Sequence, residues 1–153
     1  MPYTIHYHFS QRFTVSAKLA YEWCIDYQPE DPALMGEPTA ERKVTWLTDS
    51  TLILKESFRV IDGIVEKQKL VHLYPDQLSW VSTHLSGPNR YSQFIYQITP
   101  EGDAASHLEF NAQHIEHQEN LSQKDLKALI DKLCTEDSDL WKLLAKVMEK
   151  ELK

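Results

Sequence analysis

Apolar and polar residues alternate from Tyr3 to Phe13, with Tyr3, Ile5, Tyr7 and Phe9 on one parity and Thr4, His6, His8 and Ser10 on the other. A period of two marks a half-buried strand. The period then changes. Ser16 supplies an N-cap after Val15, and Leu19, Ala20 and Trp23 share one helical face as far as about Asp26. A second short helix is expected next, because Asp31-Pro32 pairs a capping residue with proline at the first helical position and Gly36 stands where a closing glycine belongs.

From about Glu41 to Gln118 the pattern reads as six strands. They are separated by Thr48-Asp49-Ser50, Asp62-Gly63, Tyr74-Pro75-Asp76, Ser86-Gly87-Pro88-Asn89 and Pro100-Glu101-Gly102-Asp103. Every connection is short, and a parallel crossover needs a dozen or more residues, so the six strands form an antiparallel meander. The first strand then pairs at an edge or closes the sheet.

The last segment opens with the capping pattern Ser122-Gln123-Lys124-Asp125, flanked by Leu121 and Leu126 at the spacing of a hydrophobic staple. Leu126, Ile130, Leu133, Leu140, Trp141, Leu144 and Met148 follow as a stripe near the helical period. Thr135-Glu136-Asp137-Ser138-Asp139 interrupts it with cap-forming residues, which predicts a kink or two abutting helices. An apolar stripe of this length must dock, and the sheet is the surface on offer.

Composition narrows the class. The chain has 153 residues, 42% of them hydrophobic and 25% charged, with a net charge of -7. That length suits one domain over residues 1–153. The acidic balance disfavours nucleic acid, which needs a basic footprint. Cys24 and Cys134 each sit in an apolar helical pattern and read as free thiols. No stretch approaches the apolar length that spans a bilayer, and Met1-Pro2-Tyr3 opens no signal-like segment, so a cytoplasmic location without stable membrane insertion is the expectation.

The order of strand, two short helices, six antiparallel strands and long terminal helix resembles the helix-grip fold of the START-like (SRPBCC, Bet v 1-like) superfamily, which includes birch-pollen-allergen proteins and bacterial polyketide cyclases and dehydratases. Local support comes from Phe13-Thr14-Val15-Ser16 before the first helix, from Trp23-Cys24-Ile25-Asp26, and from the turn Leu73-Tyr74-Pro75-Asp76-Gln77-Leu78-Ser79-Trp80. The plant branch has a glycine-rich loop near Thr48 to Thr51, and this chain has no glycine there. The resemblance implies an α+β fold: a seven-stranded curved antiparallel sheet, two short helices after strand one, and a long C-terminal helix packed across the concave face. It further implies a cavity between sheet and helix for a lipid, polyketide or other apolar molecule.

Strand parity says what would line that cavity. Leu52, Leu54, Glu56, Phe58 and Val60 face inward, as do Leu78, Trp80, Ser82 and His84, then Phe94, Tyr96 and Ile98, then Leu108, Phe110, Ala112 and His114. The strand of Leu70, His72 and Tyr74 reads ambiguously. Adding Trp46 from the sheet and Leu133 and Trp141 from the helix, the expected ligand contacts are Trp46, Leu54, Glu56, Phe58, Trp80, His84, Phe94, Tyr96, Phe110, His114, Leu133 and Trp141. Among these Glu56, His84, Tyr96 and His114, with His72 as a further candidate, are polar on apolar faces. Burying such groups is costly unless they are paired or address a ligand.

No metal or cofactor is expected. His114 and His117 point to opposite faces of a strand, His6 and His8 lack a third ligand, and no GxGxxG, Walker or GxSxG pattern occurs. Three functions fit: binding of a hydrophobic small molecule, a cyclase or dehydratase reaction in which Glu56 and a histidine move protons, and a protein-interaction role of the co-chaperone type.

Overall fold

The computed structural model describes residues 1–27 and 41–153. Strand β1 (Tyr3–Phe13) leads into helix α1 (Ala17–Ile25). Strands β2 (Glu41–Thr48), β3 (Thr51–Val60), β4 (Gly63–Tyr74), β5 (Ser79–His84), β6 (Gln93–Pro100) and β7 (Ser106–Glu116) follow, and helix α2 (Gln123–Leu152) ends the chain. The second short helix expected around Asp31, Pro32 and Gly36 lies outside the described residues.

All seven strands form one curved antiparallel sheet in the order β1-β7-β6-β5-β4-β3-β2. The meander is as the short turns require, and β1 adds to β7 at the far edge, Ile5 opposite His114 and Phe9 opposite Phe110. This is the helix-grip architecture, with α2 held against the sheet. At the β3–β4 turn Gly63 has φ 137°, in the region that favours glycine. Leu78 also has positive φ, and its left-handed geometry is secured by N–H donation to Pro75 O at 3.1 Å and by Ile98 N–H bonding its own carbonyl at 2.9 Å.

Helices α1 and α2 carry the N-caps their sequences dictate. Ser16 accepts from Leu19 N, and Ser122 and Asp125 form a reciprocal capping box. No kink breaks α2, which runs unbroken for 30 residues. The cap-forming run contains neither proline nor glycine, and its Asp137 spends its side chain on the hydroxyl of Tyr7 rather than on the backbone.

The C-terminal half of α2 is the part sealed into the core, through Trp141, Leu144, Ala145 and Met148. Glu149 anchors it further by accepting from Thr14 N–H at 3.0 Å. Leu126, Leu129, Ile130 and Leu133, in the N-terminal half, are only partly buried against the core. The helix is therefore tight at one end and looser at the other.

The ambiguity of β4 resolves by register. Val71 and Leu73 are buried, which puts Lys67 and Lys69 inside and sends His72 to the opposite face, opposite Val81. His72 is therefore not an inner residue. Val60 is not one either: it has the inward parity, but it stands half exposed where β3 runs out past the core.

Candidate functional site

Directly opposed residues in antiparallel strands share a face, so the register arranges the concave side of the sheet in rows. One row is aromatic: Phe9, Phe110, Tyr96 and Trp80 in succession, ending on Leu73. Trp80 and Tyr96 stack with centroids 4.6 Å apart and planes 1° from parallel, and Phe9 stacks on Phe110 at 4.5 Å. From α2, the Trp141 ring closes on this floor, 5.8 Å from Tyr96 and 6.5 Å from Trp80. From α1, Tyr21 meets the edge of Trp80 at 5.8 Å.

The next row runs Tyr7, Ala112, Phe94, Ser82, Val71 and Leu52, and beyond it the face becomes polar. There His84 lies opposite Lys69 and Lys69 opposite Leu54, while Lys67, Glu56 and Arg42 form the last row. The concave side thus has an aromatic end and a charged end.

Glu56 organises the charged end and is only 3% exposed. Its Oε2 accepts from Arg42 Nη2 at 2.9 Å and Nε at 3.2 Å, and its Oε1 has the Lys69 ammonium 2.6 Å away. Burial pushes the carboxyl up, but the charges and hydrogen bonds of Lys69 and Arg42 prevail and hold it at about 2. Glu56 is a fixed carboxylate.

His84 sits beside that group with its Nδ1 3.1 Å from Asn89 Oδ1 and its ring 4.9 Å from Phe94. Burial first, then the nearby Lys69 ammonium, push its pKa down to about 3, so the imidazole is neutral at physiological pH. Across the sheet, His114 Nε2 lies 3.1 Å from Glu116 Oε2. Between these groups Asp137 enters from α2 and accepts from Tyr7 Oη at 2.5 Å, and burial raises its carboxyl above the ordinary range.

Several polar side-chain atoms of the concave face have no hydrogen-bond partner among the described residues, including Nε2 of His84, Oγ of Ser82, Nδ1 of His114 and the hydroxyl of Tyr96. Among the described residues the one side-chain N or O that is fully sealed without a hydrogen bond is Glu56 Oε1, which has the Lys69 charge instead. His84 Nε2 and Tyr96 Oη are not among the sealed atoms.

Of the residues expected from sequence, Trp80, Phe94, Tyr96, Phe110 and Trp141 form one aromatic cluster, with Leu133 partly buried at its margin. Leu54 is buried beside Lys69, and Glu56 and His84 meet through that lysine. His114 turns to Glu116 instead. Trp46 does not join them: it keeps the inward parity but lies near the end of edge strand β2 and is 50% exposed. Phe58 is half-buried near the β3–β4 turn, with the Lys67 ammonium 5.6 Å over its ring, outside the main cluster.

Sequence reasoning missed Arg42, Lys69, Asn89, Tyr7 and Asp137. Signals existed for some of them. Arg42 shares parity with Val44 and Trp46, Lys69 shares parity with Val71 and Leu73, and Asp137 falls midway between Leu133 and Trp141 at four-residue spacing. Among the described residues no group of three or more His, Cys, Asp or Glu could hold a metal ion, and no helix is long and apolar enough to cross a membrane.

No known protein-family profile matches the sequence, and no curated protein matches it. Solved structures do. The chain is similar to the Zhui aromatase/cyclase from Streptomyces sp. R1128, with a TM-score of 0.78 and 9% identity, covering 99% of this chain and 97% of that one. It is also similar to norcoclaurine synthase from Thalictrum flavum, solved with dopamine and hydroxybenzaldehyde, with a TM-score of 0.71 and 13% identity over 99% of this chain and 87% of the other. A START superfamily protein from Mycobacterium smegmatis gives 0.66 and 12%, over 95% of each. At these identities the likeness concerns the fold, which is Bet v 1-like.

Proposed function

We propose that this protein binds an apolar, ring-bearing small molecule between the aromatic floor of the sheet and helix α2. The carrying observation is that His84 Nε2 and Tyr96 Oη have no hydrogen-bond partner among the described residues and are not sealed, beside Tyr96 stacked on Trp80 and Trp141 tilted against both. A site of this kind is mostly apolar, with a few polar groups that fix orientation. The partly buried N-terminal half of α2 supplies a way in, because less packing must be disturbed there than around Met148. The similar structures include an aromatase/cyclase and a synthase solved with two small aromatic molecules, which supports the same reading.

The alternative of a cyclase-like reaction keeps His84 as the group that could accept a proton. Glu56 suits that task poorly, since two cations stabilise its ionised form and it has no proton to give near neutrality. The binding reading is tested by native mass spectrometry of gently purified protein together with titration of 1-anilinonaphthalene-8-sulfonate. Saturable uptake of the probe, or a bound mass that unfolding releases, is the expected result. Neither appearing would overturn it.

A further inference from the structure

The β3–β4 hairpin outruns the rest of the sheet. Strand β2 begins opposite Ser57 and β5 stops at His84 opposite Lys69, so the rungs Phe58–Val65, Arg59–Ile64 and Val60–Gly63 have no further strand beside them among the described residues. Ile61, at the turn, is fully exposed, and Val60 and Ile64 are at least half exposed. Strand propensity accounts for Val60 and Ile64. It does not account for Ile61, because the centre of a two-residue turn favours Asn, Asp or Gly. Asp62 follows that preference and Ile61 does not.

The β5–β6 loop rises at the same end. Its Leu85 N–H bonds Gln68 O at 2.8 Å, and a Cβ on Gly87 would lie 3.4 Å from Lys67 Cγ, so the loop packs against the base of the hairpin. Tyr91 in this loop is 64% exposed and has φ 74°, a conformation that a bulky side chain adopts only under strain. Its N–H donates to His84 O at 2.7 Å, and its ring has the Arg90 guanidinium 5.9 Å from its centroid and the His117 ring edge-on at 6.0 Å. A strained backbone holds an aromatic ring outward here.

The shape of this crest chooses the partner. Val60 and Ile64 lie on opposite faces of the hairpin with Ile61 at its tip, so one flat surface cannot cover all three. A medium that surrounds the tip can. Three aliphatic side chains also fall well short of the roughly 800 Å² per partner of a standard protein interface. Charge agrees: residues 57–67 and 85–92 carry Arg59, Lys67 and Arg90 against Asp62 and Glu66, near balance in a chain of net charge -7, so little of the acidic excess sits here. We infer that this end of the molecule docks reversibly on a lipid bilayer, with Val60, Ile61 and Ile64 at the headgroup–acyl boundary and Tyr91 beside Arg90 at headgroup level. The Asp62 carboxylate at the turn keeps the insertion shallow. This surface is separate from the interior site.

Co-sedimentation with vesicles of phosphatidylcholine containing a minor fraction of phosphatidylserine tests the docking. Wild-type protein should pellet with the vesicles, and Ile61→Asp should raise the lipid needed for half-maximal binding at least about 10-fold. Leu47→Asp is the control. Leu47 is also half exposed but lies at the opposite end of the sheet, beside the β2–β3 turn, and its variant should bind within about twofold of wild type. Both substitutions are at exposed positions, so thermal unfolding should match wild type in each. Wild-type protein that stays in the supernatant at millimolar lipid, or an Ile61→Asp variant that binds as wild type does, would overturn the proposal. So would a concentration-dependent dimer, seen by sedimentation velocity without lipid and lost in Ile61→Asp, which assigns the crest to a second copy. Either failure leaves the interior site standing, since probe uptake and released mass decide that site by themselves.

Discussion

The ammonium of Lys69 on β4 lies 2.6 Å from Oε1 of Glu56 on β3, inside the sheet's concave face and one register step from direct opposition. Arg42, directly opposite Glu56 on β2, takes the other oxygen. One carboxylate thus ties three strands together at the end of the sheet where α2 is least buried. The arrangement has electrostatic logic: a buried carboxylate flanked by two cations stays ionised, and its charge offsets part of the cost of placing them there.

Glu56→Gln should accordingly destabilise the fold by about 3–5 kcal/mol, the cost of breaking a buried ion pair by removing one charge. Urea denaturation of wild type and variant measures it. In the wild type, the Glu56 contribution has a defined pH window. Its folded pKa of about 2 lies below the ordinary 4.5, so the stabilisation is complete above pH 4.5 and is lost as pH falls toward 2. A variant that loses less than about 1 kcal/mol would show that these charges are hydrated rather than buried.

His84 gives a separate pH signature. Unfolded, the imidazole takes up a proton near pH 6.5, whereas in the fold it does so only at about 3. Between those values the unfolded chain binds more protons, so stability falls as pH falls. Lys69, Lys67, Glu56 and Asn89 all act on this ring, and their summed effect is already in its lowered value. From pH 7 to pH 5 the wild type should lose about 2 kcal/mol more than His84→Phe does. Equal losses in the two proteins would mean that His84 titrates normally in the fold.

Much of this architecture can be read along the chain, and the reasons differ by level. Alternation in β6 and β7 names the inner residues correctly because each strand has one strongly apolar parity, as in Leu108, Phe110 and Ala112 against Glu109 and Asn111. Strand β4 defeats that rule, since its inner positions continue from Leu73 and Val71 into Lys69 and Lys67, and only pairing with β3 and β5 reveals that the lysines point in. Parity also says nothing about where a strand leaves the core. Trp46, Phe58 and Val60 have the inward parity, yet the first is half exposed, the second lies outside the main cluster, and the third is half exposed. The partner of a polar residue is a tertiary fact: Tyr7 and Asp137 are 130 residues apart.

That Tyr7 and Asp137 contact joins β1 to the middle of α2 and can be measured by a double-mutant cycle. Tyr7→Phe alone should cost about 1–3 kcal/mol, because the Asp137 carboxyl remains largely buried without its donor. Combining it with Asp137→Leu should cost less than the sum of the two single changes, since the pair is then replaced by apolar groups at matching positions. Simple additivity in thermal or urea unfolding would show that the two side chains do not interact in solution.

The two tryptophans expected to touch the ligand now part company. Trp46 lies half exposed on the edge strand, whereas Trp141 is buried, reaching Phe13, Trp80 and Tyr96 from the helix. Trp46→Ala should leave stability within about 0.5 kcal/mol of wild type, as surface substitutions do. It should also leave the affinity for 1-anilinonaphthalene-8-sulfonate unchanged. Trp141→Leu removes an aromatic wall while keeping an apolar side chain, and should weaken probe binding roughly fivefold, about 1 kcal/mol of lost ring contact. Fluorescence titration of both variants decides the matter: if Trp46→Ala abolishes uptake and Trp141→Leu does not, the probe binds along the outer edge at β2 and not on the stacked floor beneath α2.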